Sequence, residues 1–404
     1  MTYKLPSIKI YTIKHLFMYI AGFCLASFFL LGRWNFTRIV LVDSVLYGNL
    51  LRPAYLVAFI FFMISIINNL RVSRSIFTNE HATNCRLMSS IFLFLFFAYT
   101  AVSSTWAPDY DLAISKLIEI TIVFVVLLGI SLYTSNPYSD ILLHSFFVFI
   151  LFLSCFLFFF SGVDSSTGRL SALGGGANML GRNSALAATS SLFLASRNEK
   201  SSLYIILFTL FSILCLASGS RGSILALSVS LAYLFLVKQM SFGKKLSLLL
   251  AVTSLTTVFL YTPIGGYAAE IFHDRFVVLL LQQEYYSGRP LLYQLALDIG
   301  RSYPIFGIGL NGFASTGISS YPHNLFLESF SEGGLISLFL LVLSLGLWCY
   351  WYIRNRHVIM PELVACWIVV FIASQFSGDL YDSRAVFLIL LLIYSSQPQI
   401  TKCN

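Results

Sequence analysis

Apolar residues run in long blocks along this chain, and a helix needs about 20 of them to cross the hydrocarbon core of a bilayer. On that ruler the sequence predicts spans near 15–32, 54–70, 88–104, 117–133, 142–161, 178–196, 202–218, 222–237, 246–262, 333–353, 361–377 and 384–397. One long interruption, 263–332, separates the ninth run from the tenth. Inside it, IFHDRFVVLLLQQEYY is too short to span and reads as an amphipathic or re-entrant helix at the interface. PLLYQLALDIGRSYP sets Leu291, Leu292, Leu295 and Ala296 at helical spacing and closes at Gly300 and Pro304. The expected architecture is an all-α integral membrane protein of about twelve transmembrane helices. It forms one polytopic domain over 1–404, with a large outward loop at 263–332 carrying short amphipathic helices. No internal repeat and no low-complexity linker is evident.

Composition fixes the solvent. Hydrophobic residues make up 58% of the chain and charged ones 10%, where soluble domains carry about 25% charged; the mean hydropathy is +0.83. A soluble enzyme is thereby excluded. The 38 Phe and 22 Tyr suit rings that face lipid or sit at its boundary. Cys24, Cys85, Cys155, Cys215, Cys349, Cys366 and Cys403 show neither metal spacing nor a disulfide framework. No cleavable signal peptide is visible, so the first run reads as a retained anchor.

The net charge of +8 is read by location, not as a nucleic-acid footprint. With the N-terminus (Lys4, Lys9, Lys14) in the cytoplasm, twelve spans return the C-terminus there and most lysines fall inside, Lys116 excepted. The outer cations are then nearly all arginine: Arg33, Arg38, Arg52, Arg169, Arg182, Arg221, Arg275, Arg289, Arg301 and Arg384. A planar guanidinium suits bidentate phosphate contacts. Snorkelling at helix ends is the plainer account for Arg33, Arg38 and Arg52.

Polar chemistry concentrates between Ser287 and Gly334. Arg221, in SGSRGS, occupies a tight corner between two apolar runs, either as a ligand for a lipid-linked phosphate or as an interfacial snorkel. Arg289, in SGRP, starts a helix with Pro290 at a favoured position, which joins a guanidinium to a helix N-terminus; loop capping is the alternative. His323, in YPHN, is the side chain best matched to proton transfer near neutral pH. Asn324 either orients it or caps the following helix. Arg301 is a further substrate-binding candidate in the same segment. GRLSALGGGANMLGRN supplies Asn178 and Arg182, as phosphate or sugar contacts or as part of close helix packing. Trp106, in TWAPDYD, offers sugar stacking or anchoring in the interface. FGIGLNGF lacks the strand a dinucleotide loop requires and reads as a turn. SGDLYDSR holds Asp379, Asp382 and Arg384, read as acceptor-binding groups or a mutual ion pair. Nothing in the chain asks for a metal or a cofactor.

These stretches resemble the O-antigen ligase/polymerase superfamily of bacterial membrane glycosyltransferases. The matching pieces are SSTWAPDYDLA, GRLSALGGGANMLGR, SGSRGSILAL, SGRPLLYQLALDIGRSYPIFGIGLNGF and YPHNLFLESFSEGGLI, over about 103–340. One departure is Asn178, which lacks the proline that precedes it in many relatives. The resemblance implies a glycan donor on undecaprenyl diphosphate, used at the outer face of the inner membrane without nucleotide sugar, metal or cofactor, by inverting transfer. Carried over, Arg221 and Arg289 hold the diphosphate and His323 activates the acceptor hydroxyl. The implied partners are the lipid-linked oligosaccharide, a glycan or glycolipid acceptor, membrane lipids and a chain-length regulator, with no nucleic acid. Polymerases of this superfamily join lipid-linked repeats; ligases move the polymer to lipid A–core. Three arginines against six acids in 263–332 (Glu270, Asp274, Glu284, Asp298, Glu328, Glu332) lean toward polymerase. A transporter or lipid flippase also fits twelve spans, but such proteins place ionisable groups near the bilayer midplane.

Overall fold

A computed structural model describes residues 7–30, 51–70, 80–132, 139–163, 168–173, 175–197, 201–238, 261–274, 277–278 and 288–395. Thirteen α-helices lie among the described residues: α1 Ser7–Leu30, α2 Leu51–Leu70, α3 Glu80–Val102, α4 Tyr110–Ser131, α5 Ser139–Phe159, α6 Gly176–Arg197, α7 Ser201–Ala217, α8 Arg221–Val237, α9 Pro263–Phe272, α10 Arg289–Ser302, α11 Leu325–Asn355, α12 Pro361–Ala373 and α13 Arg384–Ser395. Every predicted span except 246–262 falls on one of them; that run lies outside the described residues save for its last two positions. Arg33, Arg38 and Arg275 lie outside them too, as does most of the predicted interfacial helix at 271–286.

The chain is a multi-pass membrane protein. Four helices are long and apolar enough to cross a bilayer, over Asn84–Trp106, Tyr110–Ser131, Ser139–Phe159 and Leu325–Asn355. Shorter apolar helices accompany them at His15–Leu30, Ala54–Ile67, Ser202–Ala217, Arg221–Val237, Pro361–Ala373 and Arg384–Ser395. The burial pattern suits lipid as solvent: Leu56, Phe59, Phe152 and Phe339 are exposed. α13, by contrast, is buried along its whole length. α6 is nearly as enclosed, and small residues let its neighbours close in: Ala185, Ala187 and Ala188 are fully buried. Many buried hydroxyls are satisfied by carbonyls within the protein, as lipid requires. Ser190 and Ser191 donate to carbonyls one turn back. Ser89 and Ser344 each donate to the other's carbonyl, stitching α3 to α11.

Two local features depart from a plain helical bundle. A short antiparallel hairpin pairs β1 (Ser161–Val163) with β2 (Leu170–Ala172) just ahead of α6. The second is a break in α11 at Gly334, whose backbone (φ 65°, ψ −162°) is not helical. The interrupted helix shares its backbone groups with the FGIG segment. Ile308 N–H donates to Ser331 O and Gly309 N–H to Glu332 O, while Leu335 N–H donates to Pro304 O. The predicted turn is there, closed by Gly307 N–H on Tyr303 O and Gly312 N–H on Gly309 O, and its backbone is laid into the gap in the helix. Gly307 is required there, since a Cβ would stand 2.4 Å from the Glu332 carbonyl. A Cβ on Gly309 would likewise fall 2.6 Å from Ala107 Cα of the TWAP segment. Trp106 closes this knot, its ring 6.2 Å from that of Phe306 and 6.0 Å from that of Tyr99.

Candidate active site

The turn that follows α12 is where the site is assembled. Ser374, Gln375 and Phe376 continue the chain as single turns, donating to Val370, Ile372 and Ala373. Three other segments dock on these three residues. Leu325 N–H donates to Ser374 O at 3.3 Å, and Asn324 Nδ2 to Gln375 O at 3.3 Å. Tyr293, one turn into α10, donates its hydroxyl to Gln375 O at 3.2 Å. The Arg289 guanidinium carbon lies 6.0 Å from the centre of the Phe376 ring. Gly222, next to Arg221, is packed so tightly on the same ring that a Cβ would fall 2.7 Å from Phe376 Cβ. The segments carrying Arg221, Arg289 and His323 therefore share one anchor.

Each segment arrives as a helix N-terminus. α8 begins at Arg221 after Ser220, whose hydroxyl lies 2.9 Å from that of Ser223; Gly219 supplies the left-handed residue (φ +60°) that turns the corner. α10 begins at Arg289 behind Gly288, also left-handed (φ +69°). α11 begins after Asn324, which caps it by accepting from Phe326 and Leu327 N–H at 3.0 Å. The first turn of a helix presents unpaired N–H groups and about half a positive charge. At α11 the Leu325, Phe326 and Leu327 N–H groups are already taken by Ser374 and Asn324, so the uncapped ends of α8 and α10, with their two guanidiniums, form the setting for a multiply charged anion. Arg221, Arg289 and His323 are all half-buried. His323 takes a left-handed backbone (φ +62°), a conformation that costs a non-glycine residue about 1–3 kcal/mol and gathers at functional positions. Its ring meets Tyr321 edge-on at 4.6 Å. Burial pushes the Tyr293 hydroxyl above the usual phenol range, and Arg289 pulls it partly back, so it serves as a neutral donor.

The other candidates spread out. Asn324 acts as the helix cap. Asn178 offers its side-chain oxygen to Arg169 at 3.0 Å. Arg182 is buried, with Nη2 against Met179 Sδ, on the face of α6 next to Gly181, which touches Ser218, Ser220 and Ser223 of the Arg221 corner. Arg301 is exposed and leans on Asp298 at 3.3 Å. Trp106 stays in the aromatic knot of the α11 break.

A buried charge network lies by the turn: it contains the ion pair expected within SGDLYDSR, between Asp382 and Arg384, and adds partners the sequence did not suggest. Asp379 pairs with Lys116 of α4, which also lies 3.5 Å from Glu119. Glu328 accepts from Leu380 N–H at 3.0 Å, and Glu332 from Asn311 N–H at 2.9 Å. Asp382 stands 3.8 Å from Arg384, whose guanidinium is otherwise spent on the carbonyls of Phe28, Phe29 and Tyr381. Lys116, Glu328, Glu332, Asp379, Asp382 and Arg384 are all buried. The network welds α4, α11 and the 379–384 segment beneath the docking turn. Glu328 and Glu332, one helical turn apart, were the available signal. Their partners lie too far along the chain to be paired by inspection. Among the described residues no cluster of His, Cys, Asp and Glu could hold a metal ion.

Residues 206–342 match the O-antigen ligase family (Wzy_C), a span that takes in Arg221, Arg289 and His323 but not Arg169, Trp106 or Asp379. A search of curated proteins returns no match.

Proposed function

Because residues 206–342 form an O-antigen ligase family domain, and the family transfers polyprenyl-linked glycans, we propose that this glycosyltransferase works at the junction on Ser374–Phe376. The donor is a glycan on undecaprenyl diphosphate. An acceptor sugar hydroxyl attacks the anomeric carbon from the face opposite the leaving group, and the carbon–oxygen bond to the diphosphate breaks. The electron pair departs with the diphosphate, and the hydroxyl proton passes to His323. Arg221, Arg289 and the N-termini of α8 and α10 stabilise the charge that builds on the leaving group, the kind of fixed electrostatic support that dominates many catalysed reactions. General-base catalysis by His323 contributes typically about 10²–10⁴-fold. The guanidiniums and helix ends neutralise the charge, so the scheme contains no metal or cofactor. The observation that carries it is the docking of all three segments on one turn.

The acceptor is a second lipid-linked repeat, which makes the protein a polymerase of surface polysaccharide, acting with a chain-length regulator at the periplasmic face of the inner membrane. Glu328 and Glu332 are buried and add nothing to the charge of the outer surface. Four acids then face three arginines in 263–332, still no cationic surplus for an anionic lipid A–core. The second reading, ligation to lipid A–core, is favoured by the description of the matched family. A transporter fits less well: Lys116 lies in the second turn of α4, and the buried network gathers at the helix ends that carry the site. In a deletion strain, single-repeat caps on the lipopolysaccharide support polymerase. Bare core with polymer left on its carrier supports ligase, and an unchanged glycan profile overturns both.

A further inference from the structure

The Arg221 corner needs a support of its own, because Gly219 and its serine neighbours give it little intrinsic stiffness. Arg169 supplies one. It precedes β2 and is 9% exposed. Its Nε donates to Ser218 O at 2.9 Å, and its Nη2 to Asn178 Oδ1 at 3.0 Å. Ser218 ends the α7 turn, two residues before the α8 cap, and its own hydroxyl accepts from Ser220 N–H at 3.2 Å. One guanidinium therefore ties three elements together: the hairpin, the first turn of α6 and the C-terminal carbonyls of α7. A cation at a helix C-terminus is also favoured by the helix dipole. The fork geometry matters, since an ammonium is a point charge and does not serve two acceptors on separate elements as a planar guanidinium does. Tyr267 of α9 fastens the hairpin from the other side by donating to Gly168 O at 2.7 Å.

Building on the diphosphate role given to Arg221, we infer that Arg169 is a positioning residue that sets the Arg221 guanidinium through Ser218, and that Asn178 serves as the second anchor of Arg169 and not as a sugar contact. Arg169 touches no reacting atom; it acts by holding the corner in register with Phe376.

The test uses purified full-length enzyme in detergent, a lipid-linked polymer as donor, a single lipid-linked repeat as acceptor, and undecaprenyl diphosphate as competitive probe. Arg169→Gln is expected to lower kcat by as much as about 10²-fold, the scale of a small misplacement at a reacting centre. Inhibition by undecaprenyl diphosphate weakens in parallel, while the acceptor KM stays at the wild-type value. Arg169→Lys recovers little. In an Arg221→Gln background, Arg169→Gln costs nothing further. Asn178→Ala, which leaves the Ser218 bond in place, gives a smaller loss of the same kind, and serves in place of Arg169→Gln should that variant not fold. Wild-type rates in Arg169→Gln and Asn178→Ala, losses that multiply with Arg221→Gln, or a change confined to acceptor KM each overturn the inference. Full activity of Arg221→Gln itself is a different result and removes the diphosphate reading instead.

Discussion

At the scale of single residues, His323, the proposed base, also carries backbone strain. Its left-handed φ of +62° is easy for glycine and costs other residues about 1–3 kcal/mol. The local fold holds it there because Asn324 must cap α11 while Leu325 reaches Ser374. Two variants separate strain from function. His323→Ala removes the base and keeps the strain; His323→Gly removes both. Transfer is expected to vanish in each at normal protein levels, with the glycine variant more stable than the alanine variant by about 1 kcal/mol in thermal melts. Retained transfer in His323→Ala removes the base from the scheme. Lys116 gives the opposite kind of case, the one lysine the sequence reading left on the outer side, whose burial and partner were not read. It is 5% exposed against Asp379. Lys116→Met strands a buried carboxylate and is expected to lower stability by about 3–5 kcal/mol, the usual cost of removing one partner of a buried pair. Adding Asp379→Asn should recover part of that loss in the same melts; no recovery means the two groups are not coupled.

At the scale of elements, what could be read from the chain was whatever depends on near neighbours. Hydrophobic runs located the spans, Gly288-Arg289-Pro290 marked the start of α10, and Asn324 marked the start of α11. The break in α11 was not legible. GG at 333–334 signals a flexible point, but nothing local says that residues 304–309 will supply its missing hydrogen bonds. The same holds for the pairing of Asp379 with Lys116 and of Glu328 with Leu380, which join residues far apart in sequence. The break makes a sharp prediction. A Cβ at Gly334 would stand 2.3 Å from Ile305 O, at a φ of +65°, so Gly334→Ala is expected to abolish folding, as is Gly307→Ala. Gly266 in α9 has open space around its Cβ position, and Gly266→Ala should be neutral or stabilising by up to about 1 kcal/mol. Detergent-solubilised yield and melting temperature read all three. Equal tolerance at Gly334 and Gly266 would mean that the FGIG strip is not locked into α11.

At the scale of the whole molecule, polar groups are sorted toward one end of the bundle. The N-termini of α4, α8, α10 and α11 and the 374–384 segment are joined there by the contacts above, while the α8 and α12 ends that carry Lys238 and Glu362 pair with each other at 2.6 Å. We propose, from the lysine and arginine distribution along the sequence, that the first group faces outward. An S320C variant, at an exposed site two residues from Pro322, is expected to react with an impermeant maleimide added to intact spheroplasts. Labelling only after permeabilisation reverses the orientation and places the site in the cytoplasm.

The central claim is that two arginines and one histidine serve a single departing diphosphate. It is tested most directly by measuring undecaprenyl diphosphate binding and single-turnover transfer side by side in Arg221→Gln, Arg289→Gln and His323→Ala. Both arginine variants should lose affinity for the lipid diphosphate, and the histidine variant should bind it normally yet transfer no sugar. Normal binding in the arginine variants, or undiminished transfer without the imidazole, contradicts the account.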